Sequence, residues 1–183
     1  MVTTQFKFNQ IPGFPGTKPE VIRQSLASGN PPNNYGVYLD GIKFLRIENQ
    51  PSGIPSFISN RDDVLTRFCL AENYFNLALI AHNHLAGKYI VQLALGSIVY
   101  LIDGMRKWEE YLITRICRFR ALQPRNPNSL LQDLLEGEIY TAEEVFRQFY
   151  MGRHHLIFQT CISSEGNNEW GRYFLVAEPV QYL

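Results

Sequence analysis

The chain has little of what ties a small protein together covalently, with three cysteines in 183 residues. An odd number leaves at least one thiol free or paired outside the chain, and no disulfide framework is indicated. It also lacks an excess of charge. Seventeen basic residues balance seventeen acidic ones, which argues against electrostatic nucleic-acid binding, so no nucleic-acid partner is expected. No apolar segment approaches the ~18–20 residues of a membrane span, so no integral membrane segment is expected. The opening MVTTQFKFNQIPGFPG has no charged stretch followed by an apolar one, and no secretory signal is legible. The expected location is cytoplasmic, or extracytoplasmic if the chain is trimmed or exported by another route. No repeat period shows anywhere.

What is present is enough for one core. Hydrophobic residues make up 45% of the chain, which excludes a disordered class. Prolines cluster in residues 1–34, together with Gly, Asn and Ser, and predict an extended arm with room for a helical turn near Pro19–Ala27. Residues 35–183 form the expected domain. Val37, Leu39, Asp40-Gly41, Ile42, Phe44 and Ile47 predict a hairpin on a two-residue type I′ turn. Residues 50–62 are turn-rich, and 63–69 predict a short helix. Leu77–Ala81 reads as a buried strand ending at His82-Asn83-His84. Gly96–Ile102, closed by Asp103-Gly104, and Glu110–Phe119 predict a second hairpin. Thr141-Ala-Glu-Glu144 is a capping box that opens an amphipathic helix. Six short strand candidates against one clear helix predict a mainly β barrel or sandwich. Arg115, Arg118 and Arg120 alternate with apolar residues, as on a half-exposed strand.

The chemistry concentrates in His155–Arg172, HLIFQTCISSEGNNEWGR. Leu156–Phe158 predicts a buried strand ending at Thr160 and Cys161. A polar loop follows over residues 163–168, and Arg172 opens a further strand. Cysteine and arginine would then share one rim of a sheet. A thiolate is a strong nucleophile. A nearby histidine, His82, pairs with it as imidazolium or gives the leaving amine its proton. Arginine keeps its proton and holds developing negative charge.

These segments resemble the sortase family. In IAHNHLAGKYIVQLALGSIVYL an apolar strand ends in Ala-His. LIFQTC resembles the apolar strand closing in Thr-Cys, and GRYFLVA resembles the strand that opens with the family's arginine. The resemblance spans residues 35–178. It implies a closed β-barrel of about eight strands with one or two short helices in the connections. It also implies a cysteine transpeptidase or peptidase: Cys161 as nucleophile, His82 as general acid and Arg172 as oxyanion or substrate holder. Thr160, Trp170, His84 and Asn83 would lie beside the substrate, with residues 121–153 helping to read it. The implied partners are a peptide or protein with a sorting-type motif and an amine acceptor. The chain departs from the pattern in lacking the family's membrane anchor, in Phe158-Gln159 where aliphatic residues are usual, and in offering two histidines.

Blander readings stand beside these. Cys69 and Cys117 read as structural thiols. His82 and His84, two apart, would share a strand face as metal-binding pairs do, with His154 and His155 available to complete a cluster. No carboxylate sits at ligand spacing beside either pair, so neither metal nor cofactor is expected. Trp170 would wall a groove or plug the barrel end. Glu143 and Glu144 favour the helix N-terminus. The alternative function is a catalytically silent peptide-binding or assembly module on the same barrel.

Overall fold

The structure is a computed structural model that describes residues 36–102 and 108–180. The arm expected over 1–34, the turn near Pro19–Ala27 and Asp103-Gly104 lie outside the described residues.

Ten strands run in chain order: β1 (Gly36–Leu39), β2 (Lys43–Asn49), β3 (Val64–Arg67), β4 (Leu77–Ile80), β5 (Ile98–Ile102), β6 (Trp108–Ala121), β7 (Leu131–Asp133), β8 (Ile139–Tyr140), β9 (Leu156–Ser164) and β10 (Asn167–Pro179). Among the described residues three short helices interrupt them: α1 (Cys69–Glu72), α2 (Gly87–Ile90) and α3 (Ala142–Tyr150). The sheet order is β10-β9-β4-β3-β2-β1-β5-β6, and β10 also pairs with β6, so eight strands close a mainly β barrel. β2–β3 and β4–β9 are parallel and the other barrel pairs antiparallel. β7 and β8 extend the sheet outward from β6.

Alternation fills the interior. Val37, Leu39, Leu45, Leu65, Leu79, Phe158 and Leu175 point inward into one apolar cluster. β6 alternates loosely because it carries a bulge. Val176 pairs with Arg115 and Ala177 with Ile113, leaving Thr114 over, and the extra residue resets which side chains face in. Tyr111 and Ile113 before it and Ile116 after it all join the inner cluster. The same switch divides the arginine run. Arg118 lies over the Tyr173 ring, while Arg115 lies over Phe149.

A second apolar layer lies outside the barrel, under α3. Thr141 caps this helix through the predicted box, its hydroxyl accepting from the Glu144 N–H. Val145, Phe149 and Tyr150 are buried, and Phe149 stacks on Phe174 of β10 at 4.3 Å and 14°. α3 therefore covers the outer face of β10, β9 and β6 and stops at Tyr150.

Three local expectations are corrected. Residues 63–69 form β3 and the start of α1, because Val64–Arg67 pairs in parallel with Arg46–Asn49. The Asp40-Gly41 hairpin has a three-residue loop. Leu39 pairs with Lys43, the Ile42 N–H donates to Leu39 O at 2.9 Å, and only Gly41 is left-handed (φ 71°). A type I′ turn needs both central residues there. The polar stretch 163–168 is mostly strand rather than loop, and the tight turn falls at Glu165-Gly166, both left-handed (φ 53° and 74°), as a two-residue hairpin requires.

Candidate functional site

That turn joins β9 to β10, and the register between them slips once, between Asn167 and Gly171. Cys161 lies directly opposite Arg172, and directly opposed residues project from the same face. Both are inside their strands rather than at strand ends, because β9 and β10 continue beyond the barrel as a hairpin. Ile157, Gln159 and Cys161 face outward, and Phe158, Thr160 and Ile162 face inward. Cys161 thus sits on the outer face, two residues beyond the Phe174–Gln159 pair where α3 ends.

The third residue arrives on the neighbouring strand. β4 runs parallel to β9 with Ile80 beside Gln159, and the Ala81 N–H continues the ladder to Gln159 O at 3.1 Å. His82 follows directly, two residues beyond the end of β4 at Ile80. The chain then folds back, and His82 O accepts from the N–H groups of Leu85 and Gly87 at 3.0 Å. Thr160, expected beside the substrate, instead lies inside the wall, 2% exposed, and donates to Ala81 O at 2.9 Å. It braces the histidine segment.

Arg172 is pinned through three carbonyls. Nη1 donates to Glu169 O at 3.0 Å and Gly171 O at 3.1 Å, and Nη2 to Pro124 O at 3.1 Å. A guanidinium has five N–H donors, so others remain for a ligand. Between Asn167 and Gly171 the β10 register slips against β9, and this irregular stretch carries Glu169. Trp170 sits here under Arg120 at 5.8 Å, with its indole N–H buried and unpartnered.

Burial pushes the Cys161 thiol above its ordinary value; Arg172 opposes this and Glu169 adds to it. His82 is pushed the other way, by burial and the neighbouring His84, against the opposing pull of Glu169 and the Ile58 carbonyl. Near neutral pH both groups rest uncharged. Neither imidazole hydrogen-bonds the sulfur. His82 is turned to Ile58 O, whereas His84 and Asn83 join Cys161, Ile162, Ser163 and Arg118 around a pocket of about 310 Å³. The His82 and His84 rings are 5.6 Å apart.

Asn83 ties the two halves together. Its Nδ2 donates to Ser163 Oγ at 2.6 Å and Asn168 O at 3.0 Å, and its Oδ1 lies 3.3 Å from His84 Nδ1. The histidine loop is thereby fastened to the hairpin that bears Cys161 and Arg172. Sequence reasoning named Asn83 but missed Ser163, Gln159, Glu169 and Gly87, whose roles depend on register. His154 and His155 lie elsewhere. His154 bonds Phe75 O and the Tyr111 hydroxyl, and His155 bonds Phe149 O and Arg153 O. Among the described residues no three His, Cys, Asp or Glu side chains could hold a metal ion. Cys69 is exposed, and burial pushes half-buried Cys117 upward.

No family model matches the chain, and no curated protein does. Solved structures do match. Listeria monocytogenes sortase A is 11% identical at TM-score 0.51, with 82% of this chain and 88% of that one covered. Streptococcus agalactiae sortase C1 is 12% identical at TM-score 0.51, covering 90% and 76%. A lid mutant of that sortase C1 is also 12% identical at 0.51, covering 90% and 85%. The chain has the sortase fold. No helix among the described residues is long and apolar enough to cross a membrane.

Proposed function

We propose that this sortase-fold chain is a cysteine transpeptidase or peptidase, with Cys161 as nucleophile, His82 as proton carrier and Arg172 as holder of negative charge. The observation that carries the reading is the pairing of Cys161 with Arg172 across one antiparallel ladder, with the His82–His84 segment following the parallel strand β4 beside β9 and His84 sharing a pocket with Cys161.

The uncharged resting pair suits the chemistry. As the sulfur attacks the scissile carbonyl carbon, its proton passes to an imidazole. The carbonyl oxygen gains charge beside the guanidinium. Collapse breaks the C–N bond, the imidazolium protonates the departing amine, and a thioester stays on Cys161. A second amine, or water, then attacks that thioester, gives a proton back to the imidazole and releases the sulfur. His84, which walls the pocket, is the alternative proton carrier. The acceptor amine and a sorting-type peptide are the partners this reading requires.

Trapping decides it. Protein incubated with cell extract should carry an acyl adduct on Cys161 that hydroxylamine releases. The adduct should be absent from Cys161→Ala and slower to form in His82→Ala. No adduct, or equal modification of exposed Cys69, would refute the enzyme. A thiol that no imidazole among the described residues hydrogen-bonds favours the second reading, a silent peptide-binding module. In that case Cys161→Ala binds peptide as wild type does and no adduct forms.

A further inference from the structure

Gln159 lies two residues before Cys161 on β9, on the same outward face, so the two side chains project about 6.5–7 Å apart along the strand. Its orientation is fixed from behind. Tyr150, the last residue of α3, is buried, and its hydroxyl donates to Gln159 Oε1. Burial pushes the phenol well above its ordinary value, so it keeps its proton. That hydroxyl has no other partner among the described residues. Its proton needs an acceptor, and a glutamine side chain offers only its oxygen.

With Oε1 turned toward Tyr150, Nε2 is turned away. Nε2 brings two N–H donors and has no partner among the described residues. It is not among the polar atoms sealed from solvent without a partner. A reachable pair of donors of fixed orientation therefore stands beside the thiol.

We propose that Gln159 is a specificity-determining residue. Its amide donates to a side-chain carbonyl or carboxylate of the bound peptide, selecting Asn, Gln, Asp or Glu at the position that lies against β9. This rests on the peptide-binding reading of the same face. An apolar residue there would cover two N–H groups without satisfying them, which costs more than the hydrogen bond gains when made. Tyr150 is a positioning residue, since without its hydroxyl the amide is free to turn over.

The test uses Cys161→Ala protein, which cannot turn over, to select from a random displayed peptide library, with the same selection on added Gln159→Leu and added Tyr150→Phe. Thermal melting checks that each variant folds. With Gln159 in place, acceptor side chains should be enriched about tenfold over Leu and Val at one position. Gln159→Leu should invert that preference, and Tyr150→Phe should admit donor side chains such as Lys and Ser at the same position. Identical preferences in all three, a uniform loss of binding without a change of preference, or no bound peptide would overturn the proposal. Enriched peptides that never form an adduct on wild-type Cys161 would sink the enzyme alone. An adduct formed with no acceptor preference would sink the role of Gln159 alone.

Discussion

Replacing Gly87 by alanine tests how the histidine segment is held. A Cβ on Gly87 would stand 2.2 Å from Thr160 Oγ1 and 2.6 Å from His82 O. Neither neighbour moves freely. Threonine is stiff about χ1 and its hydroxyl is bonded to Ala81 O, while His82 O accepts two backbone N–H groups. Overpacking of this kind costs about 1–3 kcal/mol, and giving up one of these hydrogen bonds adds about 1 kcal/mol. Gly87 opens α2, where alanine gains about 1 kcal/mol over glycine. The clash wins, with a net loss of about 1–3 kcal/mol, or about 2–12 °C in Tm for a domain of this size. Thermal melting of Gly87→Ala, Thr160→Ala and the double variant measures it. The double variant should lose less than the sum of the singles, because removing Oγ1 relieves the tightest contact. A Gly87→Ala protein that melts at or above the wild-type temperature would mean that propensity decides here, and the bracing account fails.

The Cys161 thiol, held above its ordinary value by burial, should alkylate more slowly than exposed Cys69 at pH 7 and accelerate only as pH rises past the usual thiol range. At a given pH, Arg172→Gln should slow it further and Glu169→Gln should speed it; superimposable pH–rate curves, read by mass spectrometry, would refute this. Thr141→Ala removes the α3 cap and should cost about 1 kcal/mol, or about 2–4 °C in Tm. Glu144 is held below the ordinary carboxylate range by the Thr141 N–H and hydroxyl, so its contribution persists above the unfolded value and fades as pH falls through the lower folded one. Wild-type and Glu144→Gln melting temperatures should therefore converge in acid.

What was legible in the sequence had a local cause. The Thr141 box, the apolar run of β4 and the strand through Leu156–Phe158 each carry their signal within a few residues. β3 did not, because its four residues are strand only through pairing with β2, eighteen positions earlier, with Val64 beside Arg46 and Leu65 beside Ile47. The hairpin beyond Cys161 resembles a loop in sequence because both of its faces meet solvent, so no alternation of polar and apolar residues marks it. Glu165 is the residue that misled most. A glutamate gives no hint of left-handed backbone, yet with Gly166 it makes the turn that joins the two strands, and the slip between Asn167 and Gly171 then sets Cys161 opposite Arg172. The candidate residues were thus visible in the sequence, and their register was not.

The last barrel strand, β10, supplies both closing seams, to β9 on one side and β6 on the other. Until it docks, two long ladders stand unpaired, the arrangement most open to wrong partners. A chain emerging from the ribosome must therefore wait for β10 before its barrel closes, and folding should fall in the slow ms–s regime of non-local β topologies. Over that interval the thiol lacks the guanidinium that faces it from β10, so whatever reactivity Arg172 confers switches on only with closure.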